Sequence, residues 1–239
     1  LKTQKVKIFC DFDGTITTKD VGENMFLEFG DSEKAYNIFN SWVRKEIDSA
    51  QEWMALLDLV KDLKEDDFNK FLSTIEIRYG FAEFVQFCSE NDLEITILSD
   101  GMDFYIKKIL ADNGFEHLKF YANSLIFDEN GLKVAFPFTD EECKECANCK
   151  RNHIIENSSD EDITIYIGDG YSDTCPVQFV DYVFAKKTLL KFCDKERISF
   201  YPFKNFKDII AIISKLLEKN QLKKRHQAEL KRKAVYAQG

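Results

Sequence analysis

The sequence is poor in the residues that loosen a chain. Three Pro and ten Gly among 239 residues exclude a low-complexity or linker-like protein. No apolar run approaches the roughly 20 residues needed to cross a bilayer, so no membrane partner is expected. No Met opens the chain, and Leu1-Lys2-Thr3-Gln4-Lys5 has none of the apolar character of an export signal. The expectation is a trimmed start and a cytoplasmic protein. The three His, at 117, 153 and 226, are scattered, which leaves no histidine triad or relay. Positive charge is in deficit: the formal net charge of −9 argues against a general nucleic-acid surface. The seven Cys are an odd number for a chain without an export signal, and reduced thiols are expected. Internal repeats are absent as well.

What is present is core-forming material. Hydrophobic residues make up 44% of the chain, with 22 Phe. The length suits one large α/β domain, or a core with a smaller appendage. Residues 5–11 read as a buried strand. Residues 20–79 show helical spacing instead: Met25, Phe26, Phe29; Ala35, Ile38, Phe39, Trp42; Trp53, Leu56, Leu57, Val60; Phe68, Phe71, Leu72. This predicts an insert of about four helices whose aromatic stripes are core. Phe81 to Cys88 returns as a helix, Leu93 to Leu98 is a strand, and Met102 to Asn113 is a helix. Phe120–Phe127 and Leu132–Phe136 flank Asp128-Glu129-Asn130-Gly131, a hairpin signal. His153 to Asn157 reads as a short helix and Ile163–Ile167 as a buried strand. A helix to about Val180 and a strand at Tyr182–Ala185 follow. Strands alternating with helices predict a parallel, Rossmann-like α/β sheet, whose site lies at the strands' carboxyl ends.

Three such ends carry chemistry: Asp11-Phe12-Asp13-Gly14-Thr15, Ser99-Asp100-Gly101 and Gly168-Asp169-Gly170. Two acids two residues apart repel each other, and a lone Asp-x-Asp is most simply a solvated strand end. A divalent cation removes the repulsion, and carboxylate oxygens suit Mg²⁺. Together the three ends fit phosphate-ester hydrolysis. Asp11 is the expected nucleophile, giving an aspartyl-phosphate. Asp13 is the expected acid for the leaving alkoxide, then the base for water. Ser99, Asp100 and Gly101 would hold the substrate's phosphate end, aided by N–H groups near a helix start. A Lys would cancel charge between nucleophile and phosphate, and Asp169 with Asp173 would complete the cation site.

These stretches, in this order from Asp11 to Asp173, resemble the four motifs of the haloacid dehalogenase superfamily. The helical insert after the first motif resembles the small cap of its phosphoserine-phosphatase-like branch. The resemblance implies a Rossmann-like core in residues 1–19 and 80–214 and a helical cap in 20–79, and the charge pattern sets off 215–239 as a basic, helical C-terminal tail. It implies Mg²⁺ bound by the side chains of Asp11 and Asp169 and the backbone carbonyl of Asp13, with Asp173 as a ligand or a partner of the ligands. An acid at Asp13 points to phosphomonoesters, since members that cleave carbon–halogen or carbon–phosphorus bonds lack it and pump ATPases carry Thr. For the third-motif Lys the candidates are Lys133, Lys144 and Lys150. Lys150 is chosen because Cys149-Lys150-Arg151-Asn152-His153 sets it at a helix entry in the expected interval.

Within the branch the sequence is most similar to the 2-hydroxy-3-keto-5-methylthiopentenyl-1-phosphate phosphatases of methionine salvage. Asp-Phe-Asp-Gly-Thr-Ile-Thr, Gly101-Met102-Asp103-Phe104, the Cys-rich approach to Lys150, and Asp181 to Leu190 carry that likeness. The implied partner is a small phosphorylated metabolite. Phosphoethanolamine, phosphocholine, pyridoxal phosphate and phosphoserine are alternative substrates, and a non-catalytic binding or scaffolding relative is the alternative of another class. Phosphoserine is disfavoured because Asp20 stands where its phosphatases carry Glu. Transfer to an acceptor other than water is not distinguished from hydrolysis.

Other features have competing readings. Cys143, Cys146 and Cys149, with His153, have the makings of a tetrahedral structural Zn²⁺ site, against local packing or a redox-sensitive loop. Cys10, Cys88 and Cys193 are expected in the core, and Cys175 there or beside the site. Of Arg44, Glu46, Arg78 and Tyr79, Arg78 is singled out as substrate-binding, because it sits where the insert rejoins the core. From Lys215 onward there are eight Lys or Arg against two Glu, which fits a terminal helix whose outer half is solvated or a basic handle for an acidic partner.

Overall fold

The computed structural model describes residues 5–129, 131–143 and 145–236. Seven strands form one sheet: β1 (Val6–Cys10), β2 (Leu93–Met102), β3 (Lys119–Asp128), β4 (Gly131–Ala135), β5 (Ile163–Gly168), β6 (Tyr182–Ala185) and β7 (Tyr201–Pro202). Their order is β4-β3-β2-β1-β5-β6-β7. All neighbours are parallel except β3 and β4, an antiparallel pair with Asp128 opposite Gly131. β1 is central, with Ile8 opposite Ile95 on one side and Ile165 on the other. Alternation assigns the two faces. Ile8, Cys10, Ile165 and Ile167 bury into one apolar cluster, Phe9 and Tyr166 into the other. A strand covered on both faces has no solvent side, which is why Ile8-Phe9-Cys10 of β1 and Ile165-Tyr166-Ile167 of β5 are apolar without a break.

The chain builds outward from β1 to β2 and β3, then returns to its other side for β5, β6 and β7. Such a reversal opens a crevice at the carboxyl ends of the two central strands. Asp11 follows β1 and Asp169 follows β5, so the reversal sets both acids at one mouth.

Helices α1 (Val21–Phe29), α2 (Ser32–Val43), α3 (Ser49–Asp58) and α4 (Glu65–Leu72) lie between β1 and α5 (Phe81–Glu90). Asp20, Asp31 and Asp48 cap the first three, accepting from Glu23 N, Lys34 N and Gln51 N. Each such cap is worth about 1 kcal/mol. Phe26, Trp53, Leu56, Phe68 and Leu72 bury the apolar stripes. The segment leaves and rejoins the core side by side: Thr17 bridges Ile77, and Arg78 N donates to Ile16 O at 2.7 Å. The remaining helices are α6 (Asp103–Asp112), α7 (Lys150–Glu156), α8 (Lys187–Lys195), α9 (Phe206–Glu218) and α10 (His226–Tyr236).

Three sequence expectations need correction. β2 continues through Ser99-Asp100-Gly101 to Met102, with a bulge against β3 between Leu98 and Met102 that frees these residues from regular pairing. The helix expected up to Val180 is only a 3₁₀ turn at Pro176–Phe179. Asp173 Oδ2 accepts from Asp169 N at 2.9 Å and Gly170 N at 3.0 Å, a side-chain turn that competes with helix over those residues. α9 runs unbroken across residue 215, so the tail begins inside a helix. Beyond it, α10 is solvated along its outer side, while Ala228 and Arg232 are buried and Arg232 donates to Phe179 O at 2.6 Å. Among the described residues no helix is long and apolar enough to cross a membrane.

Candidate active site

Lys150, the first residue of α7, reaches back to the end of β1. Its Nζ lies 2.7 Å from Asp11 Oδ1, 2.8 Å from Asp173 Oδ1 and 3.1 Å from Ser172 Oγ. All three charged groups are buried. Burial works against the ammonium, but Asp11 and Asp173 outweigh it and hold the Lys150 pKa well above its ordinary value. Burial and then Asp173 push Asp11 the other way for an acid, well above the carboxylate range. Asp173 accepts four hydrogen bonds, from Lys150 Nζ, Tyr166 Oη, Asp169 N and Gly170 N. Thr15 donates to Asp169 Oδ1 at 3.3 Å, and Lys187 pairs with Asp169 Oδ2 at 2.8 Å. Asp11, Asp169 and Asp173 each offer an oxygen, and the three lie within 4.8 Å of one another. Three buried acids at that range fit a divalent cation, which would relieve the repulsion raising Asp11. The Asp13 carboxylate is not part of this group.

Asp13 follows two residues on, in a turn that Gly14 makes possible. Gly14 has φ +70°, and a Cβ there would lie 2.7 Å from Asp169 Oδ2. Asp13 Oδ1 accepts from Val21 N at 3.0 Å, and Oδ2 accepts from Tyr105 Oη at 2.8 Å and Ser99 Oγ at 3.0 Å. Burial raises its pKa, against these three bonds. Ser99 Oγ also accepts from Gly101 N at 2.9 Å. Asp100 accepts from Ser49 Oγ of α3 and, at 2.7 Å, from Asn148 N, tying the insert and the loop before α7 to the end of β2. Arg78 has a different use from the one expected of it. Its guanidinium donates to the carbonyls of Thr15, Gly14, Thr17 and Thr18, so it braces the turn carrying Asp13 and does not line the cavity. Lys133 pairs with Asp128 on the hairpin, and Lys144 lies outside the described residues.

Comparison with known proteins agrees with this geometry. The model of a family described as Putative Phosphatase matches residues 6–197. A 2-hydroxy-3-keto-5-methylthiopentenyl-1-phosphate phosphatase from Bacillus mycoides is 35% identical over 216 residues, 89% of this chain and 98% of that protein. The protein of the same name from Bacillus cereus is 33% identical over the same shares. The chain belongs to the putative phosphatase family. It is a phosphatase of phosphomonoesters. Its fold is shared with phosphoserine phosphatase, solved as a phospho-aspartyl intermediate analogue, at TM-score 0.68 and 22% identity, covering 89% of this chain and 99% of that one. A HAD family hydrolase from Salmonella enterica gives TM-score 0.67 at 15% identity, covering 85% and 69%.

The phosphatase's acids open into a cavity of about 420 Å³ between the sheet and the α1–α3 helices. Its outer wall is aromatic and aliphatic, with Phe26, Phe39, Trp42, Trp53 and Leu56. Part of the helical stripes expected to be core is therefore cavity wall. Trp42 meets Tyr171 edge-on at 6.0 Å, closing the helices onto the loop after β5. Asp20 and Glu52 add carboxyls, and neither Lys nor Arg lines the cavity. Burial, then Asp13, moves Asp20 up to about 8; burial, then Asp100 and Asp20, moves Glu52 up to about 9. A larger groove, along Phe29, Leu63 and Phe71, contains none of Asp11, Asp13, Asp169 and Asp173. Tyr105, Glu52, Tyr166 and Lys187 carried no sequence signal, because each meets the site only through tertiary contact.

Among the described residues no three of the phosphatase's Cys and His side chains bring ligand atoms within 4.8 Å of one another, so the expected zinc site has no support. Among the described residues the acid trio is the one group of three metal-binding side chains with atoms mutually within 4.8 Å. His153 is turned away: it stacks on Tyr121 with centroids 4.0 Å apart, and its Nε2 lies 2.6 Å from Asn148 Oδ1. Cys10, Cys88 and Cys193 are buried, and Cys175 shares a small cavity with Cys143, Cys146, Cys149 and Lys150.

Proposed function

We propose that this phosphatase hydrolyses a small phosphorylated metabolite through phosphoryl-Asp11, with 2-hydroxy-3-keto-5-methylthiopentenyl-1-phosphate as the first candidate substrate. The observation that carries the mechanism is Lys150, buried and held between Asp11 and Asp173. A fixed cation beside a carboxylate nucleophile lets a dianionic phosphoryl group approach it. Asp11, Asp169 and the Asp13 carbonyl would hold Mg²⁺, and Asp173, already accepting four bonds, would orient Lys150 and the Asp169 turn. Bound Mg²⁺ would supply further positive charge at the phosphoryl oxygens. An Asp11 oxygen attacks phosphorus as Asp13 protonates the leaving oxygen. Asp13 then accepts a proton from the water that releases phosphate. Ser99 and Gly101 N–H would turn to the phosphate oxygens.

Residues 20–79 act in this reading as a cap over the core of 1–19 and 80–214, opening to admit substrate. The apolar wall suits a methylthio tail. A cavity with extra carboxyls and no lining cation disfavours a substrate carboxylate, which argues against phosphoserine. The same Asp20 and Glu52 favour a second reading, an amine-bearing monoester such as phosphoethanolamine or phosphocholine, set against Trp42 and Trp53. We place the protein in the cytoplasm, a reading supported by seven unpaired thiols.

The test is turnover of a phosphomonoester panel with Mg²⁺ and with EDTA, for wild type and Asp11→Asn. Mg²⁺-dependent turnover lost in Asp11→Asn is expected, with the best kcat/KM on the methylthio enol phosphate. Preference for phosphocholine would select the second reading. No turnover of any ester by a protein that still binds Mg²⁺ would sink both and favour a binding relative.

A further inference from the structure

To hand over a proton and take one back, Asp13 needs its carboxyl held in one orientation through both steps. Tyr105 is the unassigned neighbour. It sits on α6 and is 1% exposed. Its hydroxyl reaches Asp13 Oδ2 at 2.8 Å across residue 101. Gly101 makes that path possible, because a Cβ there would overlap the Tyr105 hydroxyl. Packing alone does not ask for the oxygen: a Phe would fill the same space without a polar group to desolvate.

We propose that Tyr105 is a positioning residue of the reaction, its hydroxyl fixing the Asp13 carboxyl through Oδ2 so that Oδ1 carries the transferable proton. This rests on the reading of Asp13 as acid and base. Oδ2 has two O–H donors, Tyr105 and Ser99, whereas Oδ1 has the single N–H of Val21. When Ser99 turns its hydroxyl to a phosphate oxygen, Tyr105 is the hydroxyl that remains on Oδ2. In the first step the Asp11–phosphorus bond forms, the ester bond breaks, and the leaving oxygen takes the Asp13 proton with the electron pair. In the second, water attacks phosphorus, its proton returns to Asp13, and the Asp11–phosphorus bond breaks. A carboxyl free to rotate between these steps would often face the wrong atom.

Tyr105→Phe separates this role from a structural one through the leaving group. An alkoxide needs the proton; p-nitrophenolate scarcely does. For the best alkyl ester of the panel, kcat/KM is expected to fall about 10- to 100-fold, and for p-nitrophenyl phosphate less than about threefold. Retained p-nitrophenyl phosphate turnover also certifies that the variant is folded. Equal losses on both esters, or no loss on either, would overturn the proposal. Asp13→Asn is measured alongside and should show the larger split. If Asp13→Asn shows none, the assignment of Asp13 as the acid has failed, and the role of Tyr105 goes with it. If Asp13→Asn splits the esters and Tyr105→Phe does not, Tyr105 alone is refuted.

Discussion

Glu52→Gln should make the protein more stable, and by an amount that grows with pH. Glu52 is 7% exposed on α3. Among the described residues no side chain hydrogen-bonds or ion-pairs with its carboxylate, while Asp100 and Asp20 both oppose its charge. Burial and these neighbours raise it from 4.5 to about 9. Between those values the folded chain keeps a proton that the unfolded chain releases, so stability falls as pH rises through the window. From the ordinary value to pH 7 the penalty reaches about 3 kcal/mol, at roughly 1.4 kcal/mol per pH unit. Gln has nearly the shape of the neutral acid and does not ionise, so the variant escapes the penalty. The expected gain is below about 1 kcal/mol at pH 5 and about 3 kcal/mol at pH 7, the latter roughly 6–12 °C in Tm for a chain of this size. Urea or thermal melts of the metal-free protein at the two pH values measure it. A gain equal at pH 5 and pH 7, or no gain at pH 7, would refute the reasoning. A residue that costs stability and lines a cavity is a candidate for function. The same variant should therefore lose kcat/KM on amine-bearing esters if that substrate reading holds, and keep it on uncharged tails.

Three further outcomes are expected. Lys150→Met leaves Asp11 and Asp173 facing each other, so kcat should fall about 100- to 1000-fold. The metal-free protein should lose about 3–5 kcal/mol, and Mg²⁺ should raise its Tm by more than it raises that of wild type, because the cation then meets uncompensated acids. Arg78→Ala unties four carbonyls of the turn carrying Asp13 and should cost on the order of 2 kcal/mol in urea melts, with kcat falling more than KM changes. Arg232→Ala leaves Asp181 without its guanidinium and Phe179 O without its donor, and should lower stability by about 3 kcal/mol in urea melts with kcat/KM unchanged.

How much of this was legible depends on whether the signal was local. Asp11 and Asp169, each directly after a strand, and Ser99, directly after the buried run of β2, announce themselves, because an apolar run and the acid or hydroxyl beside it are adjacent in sequence. Parallel topology then brings the ends together, with Cys10 paired to Ile97 and Ile167. Lys150 is different: spacing nominated it, but its bond to Asp11 spans 139 residues and follows from where α7 is docked. Arg78 shows the limit. Its position at the junction was a sound reason to notice it, but a guanidinium serves carbonyls as readily as substrate oxygens. Here the carbonyls of residues 14–18 lie within its reach first. Asp173 makes the same point for an acid. Type and spacing group it with Asp11 and Asp169, whereas the four donors on its oxygens set it apart and are the reason we propose that it orients Lys150 and the Asp169 turn. A motif nominates side chains; the count of donors and acceptors around each decides which role is left for it.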